Sequence, residues 1–174
     1  METLSLDSVD STHTYLKNYI KKHSYKKPIA IVTLNQINGV GSRENNWEGK
    51  NGNLFFSFVL NKSLLPMDLP IQSYSIYFSY ILKLCLKDLG SATWLKWPND
   101  FYINDKKIGG TITNLSSELV YCGIGLNLKE VSSFYGYLDI KVNIEKLLKN
   151  YFALVESKIL WKQIFDRIQT EQTI

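Results

Sequence analysis

The hairpin predicted for residues 96–110 constrains the fold more than any other part of the chain. These residues read KWPNDFYINDKKIGG. Pro98 cannot donate a backbone hydrogen bond to a sheet, so the strand that carries Trp97 should end at a turn. Asn104 and Asp105 predict a second turn at the tip of a hairpin. The stretch therefore predicts short strands that are joined by tight turns.

The same hairpin carries side chains that suit an anionic ligand. Lys107 should start the returning strand, and Gly109 and Gly110 would bring bare backbone close to anything bound there. A lysine, the turn carboxylate of Asp100 and exposed backbone amides together fit a carboxylate and a phosphate. A surface hairpin with solvated charges fits these residues equally well, so both interpretations stay open on this stretch alone.

Helix and strand signals in the rest of the chain indicate an α+β fold. Side-chain oxygens at residues 7–11 can cap a first helix that runs to about Lys22. The other predicted elements are strands at 29–34 and 54–60, a helix at 71–89 closed by Gly90, strands near 92–97, 101–104, 107–114 and 117–126, a helix at 144–154 capped by Asn143, and an amphipathic stretch to Arg167. Their order predicts a mixed, largely antiparallel central sheet with helices packed on one face. Residues 35–53 are too long for an ordinary connector and predict a functional loop.

Composition excludes several classes of protein. The chain has 174 residues, of which 45% are hydrophobic, so it can bury one core and is not globally disordered. A net charge of +4 that is spread along the chain does not favour nucleic-acid binding. Cys85 and Cys122 lie in apolar runs, which predicts buried, reduced thiols, and no zinc-ligand spacing occurs. Without a signal peptide or a membrane-length apolar run, the sequence predicts a cytoplasmic protein.

Four segments, in this order and spacing, resemble a biotin protein ligase. They are DSTHTYL at residues 10–16, QINGVGSRENNW at 36–47, the hairpin at 96–110 and GIGLN at 123–127. The lysine–tryptophan–proline–asparagine–aspartate run with its downstream lysine and glycines is the most specific part. The resemblance implies a sheet like that of the class II synthetases and a single catalytic domain over residues 1–174.

The resemblance also implies a reaction and its participants. A biotin ligase joins the carboxylate of biotin to the α-phosphate of ATP, which binds with Mg²⁺, and makes biotinyl-adenylate. It then transfers biotin to a lysine of a biotin carboxyl carrier protein. Both steps need fixed cations and backbone donors where negative charge develops.

Residue roles follow from the resemblance. Lys107 would contact the biotin carboxylate and the α-phosphate, and Asp100 would help to hold ATP and its magnesium. Ser11, Thr12 and Gln36 would line the ureido ring of biotin, although the two hydroxyls can equally cap a helix. The remaining biotin-site residues are His13, Gly39, Gly41, Gly110 and Gly123, and the remaining ATP-site residues are Arg43, Trp47, Lys96, Asn99 and Asn127.

The chain departs from the family pattern at several positions. Biotin ligases usually carry asparagine where this chain has His13, and an imidazole replaces only one of the hydrogen bonds of an amide, so His13 ranks low as a direct ligand. In the glycine loop, Arg43 is the one remaining arginine and is expected to act as a catalytic cation. The usual arginine positions hold other residues, namely Val40, Ser42 and Asn45.

Three further positions carry weaker expectations. Trp47 fits either stacking on adenine or plain packing of the loop. Trp97 is most simply a core residue. Asn114 stands where the family often has glutamate, and no role is assigned to it.

The resemblance also bears on additional domains, on oligomeric state and on alternative functions. The position of Ser11 leaves no room for a DNA-binding winged helix, and the chain stops where the family usually continues into an SH3-like barrel, which is therefore expected to be absent or truncated. A homodimer through sheet edges is possible. The rivals are a lipoate or octanoate ligase on the same sheet and a non-catalytic module that binds biotin or an adenylate.

Overall fold

The computed structural model describes residues 1–40, 46–47 and 50–172. Within these ranges the chain forms four α-helices and nine β-strands. The helices are α1 (Thr12–His23), α2 (Tyr74–Asp88), α3 (Ile144–Glu156) and α4 (Trp161–Gln172). The strands are β1 (Glu2–Leu6), β2 (Ile29–Thr33), β3 (Gly39–Val40), β4 (Asn46–Trp47), β5 (Leu54–Asn61), β6 (Trp94–Lys96), β7 (Asp100–Ile103), β8 (Lys106–Ser116) and β9 (Leu119–Leu126).

Seven of the strands form one mixed sheet in the order β1-β2-β5-β9-β8-β7-β6. β1 pairs with β2 in parallel, and the other neighbours in this sheet are antiparallel. The short strands β3 and β4 pair separately within the loop at residues 35–53. The predicted mixed, largely antiparallel sheet is therefore confirmed.

Different helices cover the two faces of the sheet. Because side chains alternate along a strand, Ile29 and Ile31 of β2 pack with Leu16 of α1 on one face. Ala30 and Val32 belong to the larger core on the other face, which includes residues of α2, α3 and α4. The expectation of helices on one face therefore holds for α2–α4 only. β2 is buried on both faces, and a strand of this kind needs a cover on each side.

Edge-to-face aromatic contacts connect α3 and α2 to the centre of the sheet. The ring of Phe58 lies 5.1 Å from that of Phe78, 6.0 Å from that of Tyr151 and 5.5 Å from that of Phe152. The interplanar angles are 88°, 69° and 81°, which is the T-shaped geometry that aromatic quadrupoles favour. The rigid core under β5 and β9 holds the opposite face of these strands in place.

The helix ends follow the predicted signals. Ser11 Oγ accepts a hydrogen bond from the Thr14 backbone N–H at 3.3 Å, which caps α1. Asn143 Oδ1 accepts from the Lys146 N–H at 2.9 Å and caps α3. Gly90, which follows the C-cap residue Leu89 of α2, has φ +96°, a conformation that favours glycine.

A β-bulge in β8 changes which side chains share a face. The pairing with β7 shifts between Phe101 and Tyr102, so Ile108 has no partner in β7. One extra residue offsets the alternation of side chains by one position. Lys107 therefore lies on the same face as Gly110, while Ile108 enters the core.

The structure confirms the predicted burial of the two cysteines and contradicts the predicted burial of Trp97. Cys85 and Cys122 are buried free thiols, as expected, and burial raises the pKa of Cys85 to about 11. Thiols of this kind are poor nucleophiles. Trp97 is 51% exposed, so its expected place in the core is wrong. None of the described helices combines the length and the apolar character that a membrane crossing requires.

Candidate active site

A cleft opens on the α1 face of the sheet, where α1 begins over β5, β9 and β8. It brings together nine of the residues that the sequence singled out, which are Ser11, Thr12, His13, Gln36, Asn99, Asp100, Lys107, Gly110 and Gly123. Gly125, which the sequence predicts to let the strand backbone approach a ligand, also lines the cleft. Four further lining residues carried no sequence expectation, which are Ser57, Thr111, Ile112 and Ile124.

Buried hydroxyl and amide groups form one end of the cleft. Gln36 Oε1 accepts from the Thr12 backbone N–H at 2.9 Å and from Thr12 Oγ1 at 3.3 Å. Thr12 Oγ1 also lies 2.8 Å from Ser57 Oγ on β5. These hydrogen bonds connect the first turn of α1 to the sheet and to the strand-to-loop segment at Gln36. They hold a rigid polar surface with donors and acceptors close together.

His13 completes this polar end through a partner that the sequence did not reveal. Its Nε2 lies 2.6 Å from Asn114 Oδ1 on β8. Burial lowers the pKa of His13 below its ordinary value of 6.5; the hydrogen bond to Asn114 opposes this shift, and the charge of Lys17 adds to it. The imidazole is therefore neutral near pH 7.

Two glycines keep the cleft open. A Cβ added at Gly123 would lie 3.1 Å from both His13 Nδ1 and Ser57 Oγ. At the other end, a Cβ at Gly110 would lie 3.1 Å from Asp100 Oδ1 and 3.8 Å from Lys107 Cε. A side chain at either position would therefore occupy space between groups that can contact a ligand.

An ion pair forms the other end of the cleft. Lys107 Nζ lies 2.8 Å from Asp100 Oδ1, and each side chain is 26% exposed. The bulge in β8 directs Lys107 over Gly110 and toward Asp100 on β7. This end therefore presents a lysine ammonium that is already held in one direction.

Asn99 supports the same end through the backbone. Its Nδ2 donates to the Thr111 carbonyl at 2.7 Å, and the Thr111 N–H donates to the Asn99 carbonyl at 2.9 Å. These two bonds fix the turn before β7 against β8. Asn99 lines the cleft, but its amide N–H is engaged by the protein itself.

Two of the residues that were expected to contact ATP lie outside this cleft. Lys96 Nζ lies 5.6 Å from the centre of the Tyr102 ring, and its side chain lines a neighbouring cleft with Trp94 and Trp97. Asn127 is buried, and its Nδ2 donates to the Gly136 carbonyl at 3.1 Å.

The glycine loop is described only in part. Gly39 is buried in β3 and does not line the cleft as the described residues shape it. Gly41 and Arg43 lie outside the described residues, and so does the side chain of Trp47. The roles of Gly41 at the biotin site and of Arg43 and Trp47 at the ATP end stay predictions.

Two residues at the polar end of the site, Ser57 in the lining and Asn114 behind His13, were given no role from the sequence. Ser57 is a lone hydroxyl in the apolar run LFFSFVL, and strand alternation places it on the face opposite Phe56 and Phe58. Asn114 stood out only as a departure from the family pattern, because its importance depends on a contact with a residue 101 positions away.

The described residues contain no group of three or more His, Cys, Asp or Glu side chains that could hold a metal ion. Magnesium that arrives with ATP does not need such a group, because it binds through one or two carboxylates and the phosphate oxygens. Asp100 is the one acidic residue that lines the described part of the cleft, and it fits this requirement.

Several known proteins resemble this chain in sequence, in fold or in both. Biotin–protein ligase 2 of Arabidopsis thaliana is 32% identical over 134 residues, covering 69% of this chain and 38% of that protein. The chain thus spans well under half the length of the curated relatives it matches. A biotin acetyl coenzyme A carboxylase synthetase from Helicobacter pylori, solved with bound biotinylated ATP, is 42% identical with a TM-score of 0.91, covering 98% of this chain and 80% of that one. A biotin protein ligase from Leishmania major, solved with biotinyl-5-AMP, shares the fold at 18% identity, with a TM-score of 0.83, covering 97% and 80% of the two chains.

The family assignment depends on the extent of the match. The model of the biotin/lipoate A/B protein ligase family matches residues 5–127, a range that begins in β1 and ends just after β9. This range contains the whole sheet except the first three residues of β1, and it contains all the residues that line the cleft. The chain belongs to the biotin/lipoate A/B protein ligase family.

Proposed function

We propose that this protein is a biotin protein ligase, which activates biotin with ATP and transfers it to a lysine of a biotin carboxyl carrier protein. In the first step a carboxylate oxygen of biotin bonds to the α-phosphorus of ATP, and pyrophosphate leaves. In the second step the lysine amine of the carrier bonds to the acyl carbon, and AMP leaves. Membership of the family and the 42% identity to the Helicobacter pylori synthetase support this proposal.

The observation that carries the proposal is the division of the cleft into a polar end and a cationic end. Ser11, Thr12 and Ser57 offer hydroxyls at the first, and the Lys107–Asp100 pair forms the second. Biotin has the same division, because an uncharged ureido ring and a carboxylate stand at opposite ends of the molecule. The proposed pose places the ring among the hydroxyls and the carboxylate beside Lys107.

The polar end favours biotin over lipoate. A ureido ring has one carbonyl acceptor and two N–H donors, which match hydroxyl and imidazole groups. The dithiolane ring of lipoate has no N–H or carbonyl group. It would leave the buried His13 Nδ1, which has no hydrogen-bond partner among the described residues, without a ligand partner, at a cost of about 1–3 kcal/mol.

Lys107 has the central role in the proposed first step. The biotin carboxylate and the α-phosphate repel each other, and negative charge increases on the phosphate oxygens as the new bond forms. A fixed ammonium beside both groups offsets this repulsion, and it acts most strongly in the transition state. Asp100 orients the ammonium before the substrates arrive, so little reorganisation is needed.

Asp100, Arg43 and Trp47 are the proposed contacts of ATP. Asp100 would hold the magnesium that accompanies ATP, whose charge would draw electron density from the phosphates. Arg43 and Trp47 stay the predicted phosphate and adenine contacts, and Gly41 stays a predicted residue of the biotin site. Lys96 and Asn127 act on ATP only if the nucleotide extends beyond the cleft.

A cytoplasmic location is also part of the proposal. The two cysteines are free and buried, which suits a reducing compartment. The proposed first step needs ATP and the second needs a carrier with an accessible lysine, and both are found in the cytoplasm.

A labelling experiment separates the proposal from its rivals. The protein is incubated with MgATP, a biotin carboxyl carrier domain and either biotin or lipoate, and the carrier is analysed by intact mass. We expect labelling with biotin only, and none on a carrier whose acceptor lysine is replaced by arginine. Labelling with lipoate only would indicate a lipoate ligase. Biotin binding without pyrophosphate release would indicate a non-catalytic binding module.

A further inference from the structure

His13 and Asn114 form a side-chain pair at the polar end of the cleft. His13 lies in the first turn of α1 and Asn114 lies on β8, and the two elements meet at this contact of 2.6 Å. Both residues depart from the family pattern described above. Their contact indicates that these two unusual residues act together.

The contact selects one tautomer of the imidazole. An amide oxygen only accepts hydrogen bonds, so Asn114 Oδ1 requires a proton on His13 Nε2. In a neutral imidazole the other nitrogen, Nδ1, then carries a lone pair and no proton. Lys17 on α1 and Tyr121 on β9 are the titratable groups that face this ring, and the positive charge of Lys17 also favours the neutral form.

His13 lines the cleft, and its Nδ1 lies near Gly123 at the cleft wall. Nδ1 is buried and has no hydrogen-bond partner among the described residues. It lies 3.1 Å from the position that a Cβ on Gly123 would occupy, and Gly123 lines the cleft. A buried acceptor without a partner is costly, by about 1–3 kcal/mol, and a donor on the ligand would remove that cost.

We propose that His13 Nδ1 accepts a hydrogen bond from an N–H group of the ligand, and that Asn114 is the positioning residue that keeps Nδ1 unprotonated. This inference rests on the proposed function, in which the N–H belongs to the ureido ring of biotin. A head group without an N–H, such as a dithiolane, leaves Nδ1 unpaired. In this proposal the His13–Asn114 pair both binds the ligand and selects ligands whose head group carries an N–H.

Long-range ¹H–¹⁵N NMR spectra of the ¹⁵N-labelled protein test the proposal directly. In the free protein we expect a protonated Nε2 and an unprotonated Nδ1 for His13. Addition of D-biotin should move the Nδ1 resonance upfield, as expected when this nitrogen accepts a hydrogen bond. His23, which is exposed in the last turn of the same helix, provides an internal control whose resonances should not move.

Variants separate positioning from a merely structural role. Asn114→Ala should mix the two His13 tautomers and raise both the Kd and the KM for biotin about tenfold, with kcat nearly unchanged. Asn150→Ala on the exposed side of α3 is the matched control. His13→Phe should lose at least as much affinity, whereas His13→Asn, which restores an acceptor oxygen, should recover most of it.

The outcomes distinguish this inference from the proposed function. Biotin binding by calorimetry with an unmoved Nδ1 resonance, or with a proton on Nδ1 in the free protein, would overturn the inference and leave the ligase proposal intact. A change in kcat alone in Asn114→Ala would also overturn it. Absence of biotin binding to the wild-type protein would instead overturn the ligase proposal, and the inference with it.

Discussion

Lys107 Nζ lies 2.8 Å from Asp100 Oδ1, across the two strands that form the cationic end of the cleft. A partly exposed ion pair of this kind contributes only about 0–1 kcal/mol to stability. The ion pair matters mainly because it positions Lys107: the bulge in β8 and the carboxylate of Asp100 together direct the ammonium into the cleft. The predicted effects of substitutions here are therefore on chemistry more than on folding.

Lys107→Ala should strongly reduce adenylate formation without unfolding the protein. Removing a fixed transition-state charge typically lowers kcat by about 10²–10³-fold, and the small stability of the pair leaves Tm nearly unchanged. Biotin-dependent pyrophosphate release measures the first effect and thermal unfolding the second. Lys106→Ala is the control, since Lys106 is exposed beside it and donates to the Ser133 carbonyl. Wild-type release from Lys107→Ala would remove this residue from the mechanism.

Gly110→Ala and Gly123→Ala should damage different steps. The methyl at Gly123 would lie 3.1 Å from His13 Nδ1, within the proposed ureido site, so the Kd for biotin should rise about tenfold or more. The methyl at Gly110 would crowd Asp100 and Lys107, so pyrophosphate release should fall while biotin still binds. Calorimetry and the release assay are run on both variants. An equal loss of biotin affinity in the two would contradict the proposed orientation.

The stability of the protein should depend on pH through His13. Burial lowers its pKa in the folded state below 6.5, so the unfolded chain binds the proton more readily. This contribution to stability is fully present above about pH 6.5 and is lost as the pH falls toward the lowered folded value. Urea unfolding between about pH 7.5 and 5.5 should therefore lose more free energy in the wild type than in His13→Asn.

The control for this prediction is His23→Asn, which changes an exposed histidine on the same helix and should keep the contribution of His13. Identical pH slopes in the wild type and His13→Asn would show that the imidazole does not titrate as its burial requires.

Asn114→Asp should make biotin binding depend on pH near neutrality. A carboxylate beside His13 Nε2 would raise the pKa of the imidazole, and the cation carries a proton on Nδ1. Binding should be weak below the raised pKa and recover above it, because only the neutral ring presents a lone pair to the ligand. Calorimetry from about pH 6 to 9 measures this, with the wild type as the reference. A variant with a constant Kd over this range would contradict the tautomer argument.

The sequence predicted most elements of the sheet because their signals are local. The apolar runs at 29–34 and 54–60 correspond to Ile29–Thr33 and Leu54–Asn61. β1 was missed, because ETLSL is short and largely exposed, and its apolar alternation consists of only Leu4 and Leu6. It is held by parallel pairing with β2, and pairing between distant segments leaves no mark in a short polar run.

Two features of the site could not be predicted for a similar reason. Strict alternation would place Lys107 and Gly110 on opposite faces, and only the bulge at Ile108 brings them together. In the sequence, His13 and Asn114 appear as two unrelated differences from the biotin ligase pattern. Their contact joins an α-helix to a distant strand, so the meaning of each depends on the other.

A crystal structure with a non-hydrolysable sulfamoyl analogue of biotinyl-adenylate tests the central claim most directly. The account predicts the ureido ring between His13 and Ser57, with Lys107 Nζ within about 3.2 Å of oxygens on both sides of the acyl–adenylate linkage. A ligand bound in the reverse direction, or an ammonium group that contacts neither half of the analogue, would contradict the account.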